Sequence, residues 1–325
     1  MSFTRQTVIT ATLCSSLGLL LASPLWAWDG VVEKQTFEME SFTTQGGETI
    51  PNVTVGWEAY GELNDARDNV ILITHFFSGT SHAAGRYEAD GEPTGYWDAI
   101  IGPGKPLDTD EYYIISSDTL VNLGANDPNV TTTGPASINP DTGEPWGMDF
   151  PVVTIRDFVE VQRELLESQG IESLHAVMGA SMGALQAIEW ASAYSDRVER
   201  LIPVIGGGVA DPWLLATLSA WAAPIRLDAN WNEGNYYDGE PPTDGLKEAL
   251  KLVTLNANHW QWANETFNRD WADEERDPAQ DINAATRSSK PWMISPPHAP
   301  PLLTPTICSI WCAPTKPLSQ ATATR

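Results

Sequence analysis

Residues 179–183 read Gly-Ala-Ser-Met-Gly, the G-x-S-x-G pattern that can present a serine hydroxyl as a nucleophile. The pattern gains meaning from its flanks. An apolar run, Leu174 to Met178, precedes it, and an Ala-rich stretch from Met182 to Tyr194 follows. A strand that turns straight into a helix lifts the hydroxyl of Ser181 clear of the sheet. Gly179 and Gly183 leave room for so tight a turn, and the start of the helix favours developing negative charge. That chemistry is nucleophilic catalysis through a covalent serine intermediate. The chain has five histidines, at 75, 82, 175, 259 and 298, and three cysteines, at 14, 308 and 312. Cys308 and Cys312 are spaced as Cys-x-x-x-Cys with only His298 near, which is too few donors for a four-ligand zinc site. No metal and no organic cofactor is expected.

The elements that must hold Ser181 follow from the periodicity. Lys34 to Phe42 and Asn52 to Tyr60 alternate and are separated by Gly46-Gly47, which predicts an antiparallel pair. Asn69 to Phe76 and Glu111 to Ser117 are short apolar runs, as in strands buried on both faces. Thr154 to Gln169 carries an apolar stripe at helical spacing, with Thr154 as N-cap and Gly170 as stop. Another strand is predicted over Arg200 to Ile205. Strand–helix–strand–helix–strand order predicts an α/β fold, a mostly parallel sheet with helices on both faces. Between Phe77 and Asp110 lies a long Gly-rich loop of the kind that carries function. Beyond Gly206-Gly207-Gly208 the chain becomes rich in tryptophan and helical, which predicts a cap over the site; the glycine triplet lacks the spacing and lysine of a phosphate loop.

Four segments carry a resemblance. HAVMGASMGALQAIEW (His175 to Trp190), THFFSGTSHAAG from Thr74, GYWDAIIGPGKPLDTDEYYIISSD from Gly95 and GPASINPDTGEPWGMDFPVVTIRDFV from Gly134 resemble the homoserine O-acetyltransferase family, a branch of the α/β-hydrolase superfamily. The resemblance runs from about Val53 to Tyr237. It implies an α/β-hydrolase fold with a helical cap, and Ser181 as the nucleophile that takes an acyl group. It also implies an oxyanion hole made by the backbone N–H groups of Met182 and Phe77, with His75 and His82 shaping the adjoining loop. Two departures stand out. The family's substrate-binding arginine in the first cap helix aligns with Ala222, and Arg226 lies four residues on. The family's acid and histidine follow the cap, yet only His259, in a cap-like helix, and His298 follow Ser181, so neither triad partner can be assigned. The function expected is therefore an exported acyltransferase or acyl-ester hydrolase of unassigned acceptor. The rival is a catalytically inactive α/β-hydrolase-like binding protein.

Composition limits the partners. Eighteen Lys and Arg stand against 43 Asp and Glu in 325 residues, a net charge of −25, which excludes a nucleic-acid role. The partners expected are a small-molecule acyl donor and acceptor or an ester, with a homodimer left open. Arg5, the apolar run Val8 to Leu21 and the small residue Ala27 have the layout of a secretory signal, too short and interrupted for a membrane span. On that reading the mature chain starts at Trp28 and is periplasmic. Domains are then expected at 28–205 for the core and 206–284 for a partial cap. The tail over 285–325 holds no acidic residue and eight of the 24 prolines, is expected to be disordered, and is a poor source of the last core strands. Shifted by one frame, its codons can encode an acidic, helix-forming sequence, which suggests an out-of-frame reading that removes the triad's acid and histidine.

Overall fold

The computed structural model describes residues 28–91 and 94–281. The expectations for the signal, the tail, His298 and all three cysteines lie outside the described residues.

Six strands form one sheet: β1 (Gln35–Thr43), β2 (Thr49–Tyr60), β3 (Val70–Thr74), β4 (Tyr113–Ser117), β5 (Ala176–Ala180) and β6 (Leu201–Val204). Their order is β1-β2-β4-β3-β5-β6. β1 and β2 form the predicted hairpin, closed by a turn in which Gly47 has φ +88°. β2 runs antiparallel to β4, and from there the sheet is parallel across β3, β5 and β6. The short apolar runs became enclosed strands: every residue of β3 is buried, and all of β4 but Tyr113.

Helix α1 (Ile155–Ser168) starts at the predicted N-cap, Thr154, and Asp157 completes a capping box there. The Thr154 side chain accepts from the Asp157 N–H, and Asp157 Oδ2 accepts from the Thr154 N–H at 2.6 Å. Gly170, at φ +70°, ends it. Helix α2 (Met182–Ala193) packs on α1 through buried amides. Trp190 Nε1 donates to Gln162, and Gln162 Nε2 donates to Gln186, both at 2.8 Å. A buried indole and two buried amides are thereby satisfied without water.

β6 differs from the other parallel strands, because all four of its residues are exposed. The carbonyls of Arg200 and Val204 accept from β5 at 2.9 Å, so those of Leu201 and Pro203 turn to the outer edge. No strand follows β6 among the described residues. Three helices do: α3 (Pro212–Leu227), α4 (Thr243–Ala257) and α5 (Trp260–Phe267). α3 and α4 cross so closely that a Cβ on Gly245 would stand 2.5 Å from the Pro224 carbonyl oxygen. Ala222, Ile225, Trp231, Tyr236 and Leu246 from this region share one apolar cluster with Phe150, Phe158 and Met182. No helix among the described residues is long and apolar enough to cross a membrane.

Candidate active site

Ser181 stands between β5 and α2 with φ 54° and ψ −119°, a conformation that side-chain-bearing residues rarely adopt. The sheet and helix impose it. The Ser181 N–H is held by the Val204 carbonyl at 2.9 Å, while the Ser181 carbonyl accepts from Ala184 and Leu185 as the first turn of α2. The result is an exposed residue at the C-terminal end of β5, an inner strand of the sheet.

The flanking glycines are required by identifiable atoms. A Cβ on Gly179 would stand 2.2 Å from Thr74 Oγ1, and one on Gly183 would stand 2.0 Å from the Thr74 carbonyl oxygen. Thr74, the last residue of β3, uses its hydroxyl to bind the Gly183 carbonyl at 2.8 Å. Strand β3 and the nucleophile turn therefore touch backbone to backbone. A third glycine, Gly206, sits against Ala184, where a Cβ would approach to 2.3 Å.

The loop after β3 carries Phe77, and the structure gives His75 the loop-shaping role expected of it. His75 is 1% exposed. Its Nε2 accepts from the Thr119 N–H at 3.2 Å, which leaves Nδ1 to donate to the Phe76 carbonyl at 2.8 Å. Burial lowers its pKa, outweighing Asp118, so the ring is neutral and its nitrogens are engaged. The His75 carbonyl accepts from Gln186 at 3.2 Å, which ties the loop to α2. Asn122 adds a link to the Gly79 carbonyl at 3.0 Å. The Phe77 ring lies 6.0 Å from that of Trp221 on α3.

Beneath this loop lies a buried charged network to which the sequence analysis assigned no role. Glu58, on β2, is 0% exposed. Its carboxylate accepts from Tyr60, Tyr87 and Ser81 at 3.0, 2.8 and 3.2 Å, and pairs with Lys34 and His82 at 2.9 Å each. Burial alone would raise its pKa. The His82 hydrogen bond and the Lys34 charge outweigh that and hold it at about 2. The signal available was parity: Glu58 shares its strand face with Tyr60, two residues on.

The other expected site residues are not brought together. His82 is committed to Glu58, while His175 lies beside Arg200 and Glu199. His259 caps α5, accepting from the Gln261 N–H at 3.3 Å. The Ser181 side chain makes no cap hydrogen bond, and none of these four histidines bonds to it among the described residues. Ala222, aligned with the substrate-binding arginine, is 0% exposed inside the apolar cluster, whereas Arg226 is exposed. No group of three or more metal-ligating side chains occurs among the described residues.

Comparison with known proteins extends this geometry. A family model described as alpha/beta hydrolase fold matches residues 63–289. The homoserine O-acetyltransferase of Methanococcoides burtonii is 42% identical over 227 residues, 70% of this chain and 45% of that enzyme. That of Carboxydothermus hydrogenoformans is 39% identical, over 72% of this chain and 61% of that enzyme. The chain thus spans about half the length of the transferase sequences it matches. Among solved structures, esterase E22 is 51% identical with a TM-score of 0.77, over 87% of this chain and 77% of that one. Homoserine O-acetyltransferase from Bacillus anthracis is 42% identical with a TM-score of 0.74, over 79% and 68%.

Proposed function

The chain belongs to the alpha/beta hydrolase fold family and is homoserine O-acetyltransferase-like, and from that premise we propose that it moves acyl groups through Ser181. The observation that carries this reading is the Ser181 backbone, held at φ 54° and ψ −119° at the head of α2. In the reaction Ser181 Oγ bonds to the acyl carbon, and the leaving group departs with the serine proton. A water or an acceptor hydroxyl then attacks the acyl-enzyme and restores the serine. The backbone N–H groups of Met182 and Phe77 stabilise the oxyanion at both steps.

Between ester hydrolysis and transfer to homoserine, Ala222 favours the ester. With an alanine buried among apolar side chains, the carboxylate of an amino-acid acceptor has no cation at that position. Homoserine with acetyl-CoA should give no acetylhomoserine above background. Export fits the layout of residues 1–27 and is tested by N-terminal sequencing of the protein from the periplasm, which should begin at Trp28.

A fluorophosphonate probe should label wild-type protein and not Ser181→Ala; equal labelling of both sinks the nucleophile reading. The second reading, a binding protein without turnover, is favoured by the four histidines engaged away from Ser181. Turnover of p-nitrophenyl acetate by purified protein decides against it.

A further inference from the structure

We propose that Asp118 is a positioning residue for the acyl-oxygen site, a buried carboxylate that fixes the loop carrying Phe77 by gripping its far end at Ser81. This rests on the reading of Ser181 as nucleophile and Phe77 as oxyanion donor. An oxyanion donor is worth most when its position does not relax as charge develops, so the segment bearing it must be held on both sides. The near side is held by His75 and Gln186. The far side needs its own anchor, because Phe77 and Ser78 belong to no strand or helix.

Asp118 supplies it. It is 1% exposed and follows directly on β4. Oδ1 accepts from the Ser81 N–H at 2.7 Å. Oδ2 accepts from the Thr131 N–H at 3.0 Å and from Lys34 Nζ at 3.3 Å. One carboxylate therefore joins the oxyanion loop to two other segments. The sheet is shaped around it: a Cβ on Gly56 would stand 2.5 Å from Asp118 Oδ2. The neighbouring Glu58 grips the same residue from its other side, through Ser81 Oγ at 3.2 Å, while the Tyr60 hydroxyl shares its one proton between Glu58 and the Ser81 carbonyl, 3.0 and 3.1 Å away. Ser81 is thus bound at its N–H, its carbonyl and its hydroxyl, four residues after Phe77. A surface turn would need none of this, and burying two carboxylates with one lysine is costly unless the donors are fixed.

The discriminating substitution is Asp118→Asn, which keeps the shape but turns an NH2 group toward either the Ser81 or the Thr131 N–H, donor against donor. Hydrogen exchange over residues 75–82 should rise about tenfold while residues 182–190 are unchanged. On p-nitrophenyl acetate, kcat should fall about tenfold with KM within about twofold, as for a misplaced donor. On the thionoacetate analogue, whose sulfur accepts hydrogen bonds poorly, kcat should fall less, so the ester-to-thionoester ratio drops. Ser81→Ala, which removes only the hydroxyl contacts, should give the same pattern more weakly and serves if Asp118→Asn does not fold. Unchanged exchange over 75–82, or raised exchange with an unchanged ester ratio, overturns the proposal. So does a uniform rise in exchange across both segments with equal losses on both esters. If wild-type protein turns over neither ester, the nucleophile reading fails and takes the catalytic purpose of Asp118 with it. Exchange over 75–82 still reports the clamp, which keeps the two failures apart.

Discussion

On one side of β5, every residue of β3 is buried; on the other, every residue of β6 is exposed, although both strands are apolar and lie parallel in the same sheet. β3 is covered by α1 and α2 on one face and by Ala83, Ala84 and Ile101 on the other, and its end is locked to the turn at Ser181 through Thr74. β6 holds the Ser181 N–H through Val204, yet leaves Leu201 and Ile202 more than a third exposed, at 39% and 38%. Composition alone therefore does not decide burial; the neighbour does. The contrast also divides the chemistry. The turn around Ser181 and the loop carrying Phe77 adjoin the enclosed side. Among the described residues the open side adds no acid or base to Ser181.

The largest test of this contrast is a pair of truncations. Leu72→Ala, at a position 1% exposed, should cost about 2–5 kcal/mol in urea denaturation, whereas Ile202→Ala should cost under about 1 kcal/mol. Equal costs would mean that the β6 side is covered in solution. Acid gives the next. The Glu58 carboxyl lies at about 2 in the folded chain against an ordinary 4.5. Its contribution is complete above pH 4.5 and drains away as pH falls toward 2. A tenfold preference for the ionised form is worth about 1.4 kcal/mol, so the gap between those two values puts roughly 3 kcal/mol of stability at stake. Glu58→Gln should flatten the acid limb of a stability–pH curve; an unaltered limb would show that other carboxylates govern it.

Glycines sharpen the comparison further. Gly183→Ala drives a Cβ against the Thr74 backbone and should destabilise by about 3 kcal/mol, while Gly207→Ala meets nothing within 4 Å and should stay within about 0.5 kcal/mol. A milder loss is expected of Thr154→Ala, about 1 kcal/mol from the lost cap of α1, read as a thermal shift of a few degrees.

Much of the enclosed side was legible because its signals are local. The N-cap at Thr154, the stop at Gly170, the hairpin at Gly46-Gly47 and the turn around Ser181 each depend on neighbours in sequence. Strand ends slipped by about two residues where apolar content outran pairing. The run from Leu174 predicts a strand ending at Met178, but Leu174 makes only an isolated bridge to Val198 and the β5 ladder spans Ala176–Ala180. The buried network was not legible, because Lys34, Glu58 and Asp118 are far apart in the chain and each alone reads as a surface charge. The exposure of β6 was hidden for the same reason: its sequence is that of an enclosed strand.

Pro203 bears on the outer edge of β6, which pairs with no strand among the described residues. It lies on the outward-facing set of that strand, so its missing N–H interrupts the row of donors between Leu201 and Ile205 while costing the sheet nothing. An incoming strand would meet a gap at the middle of a four-residue template. Ordered cross-β growth propagates by repeating an unbroken ladder from chain to chain, and this template is both short and broken. Protein lost from solution on heating should accordingly form amorphous precipitate that leaves thioflavin T dark, and Pro203→Val should restore the missing donor and let fibrils grow.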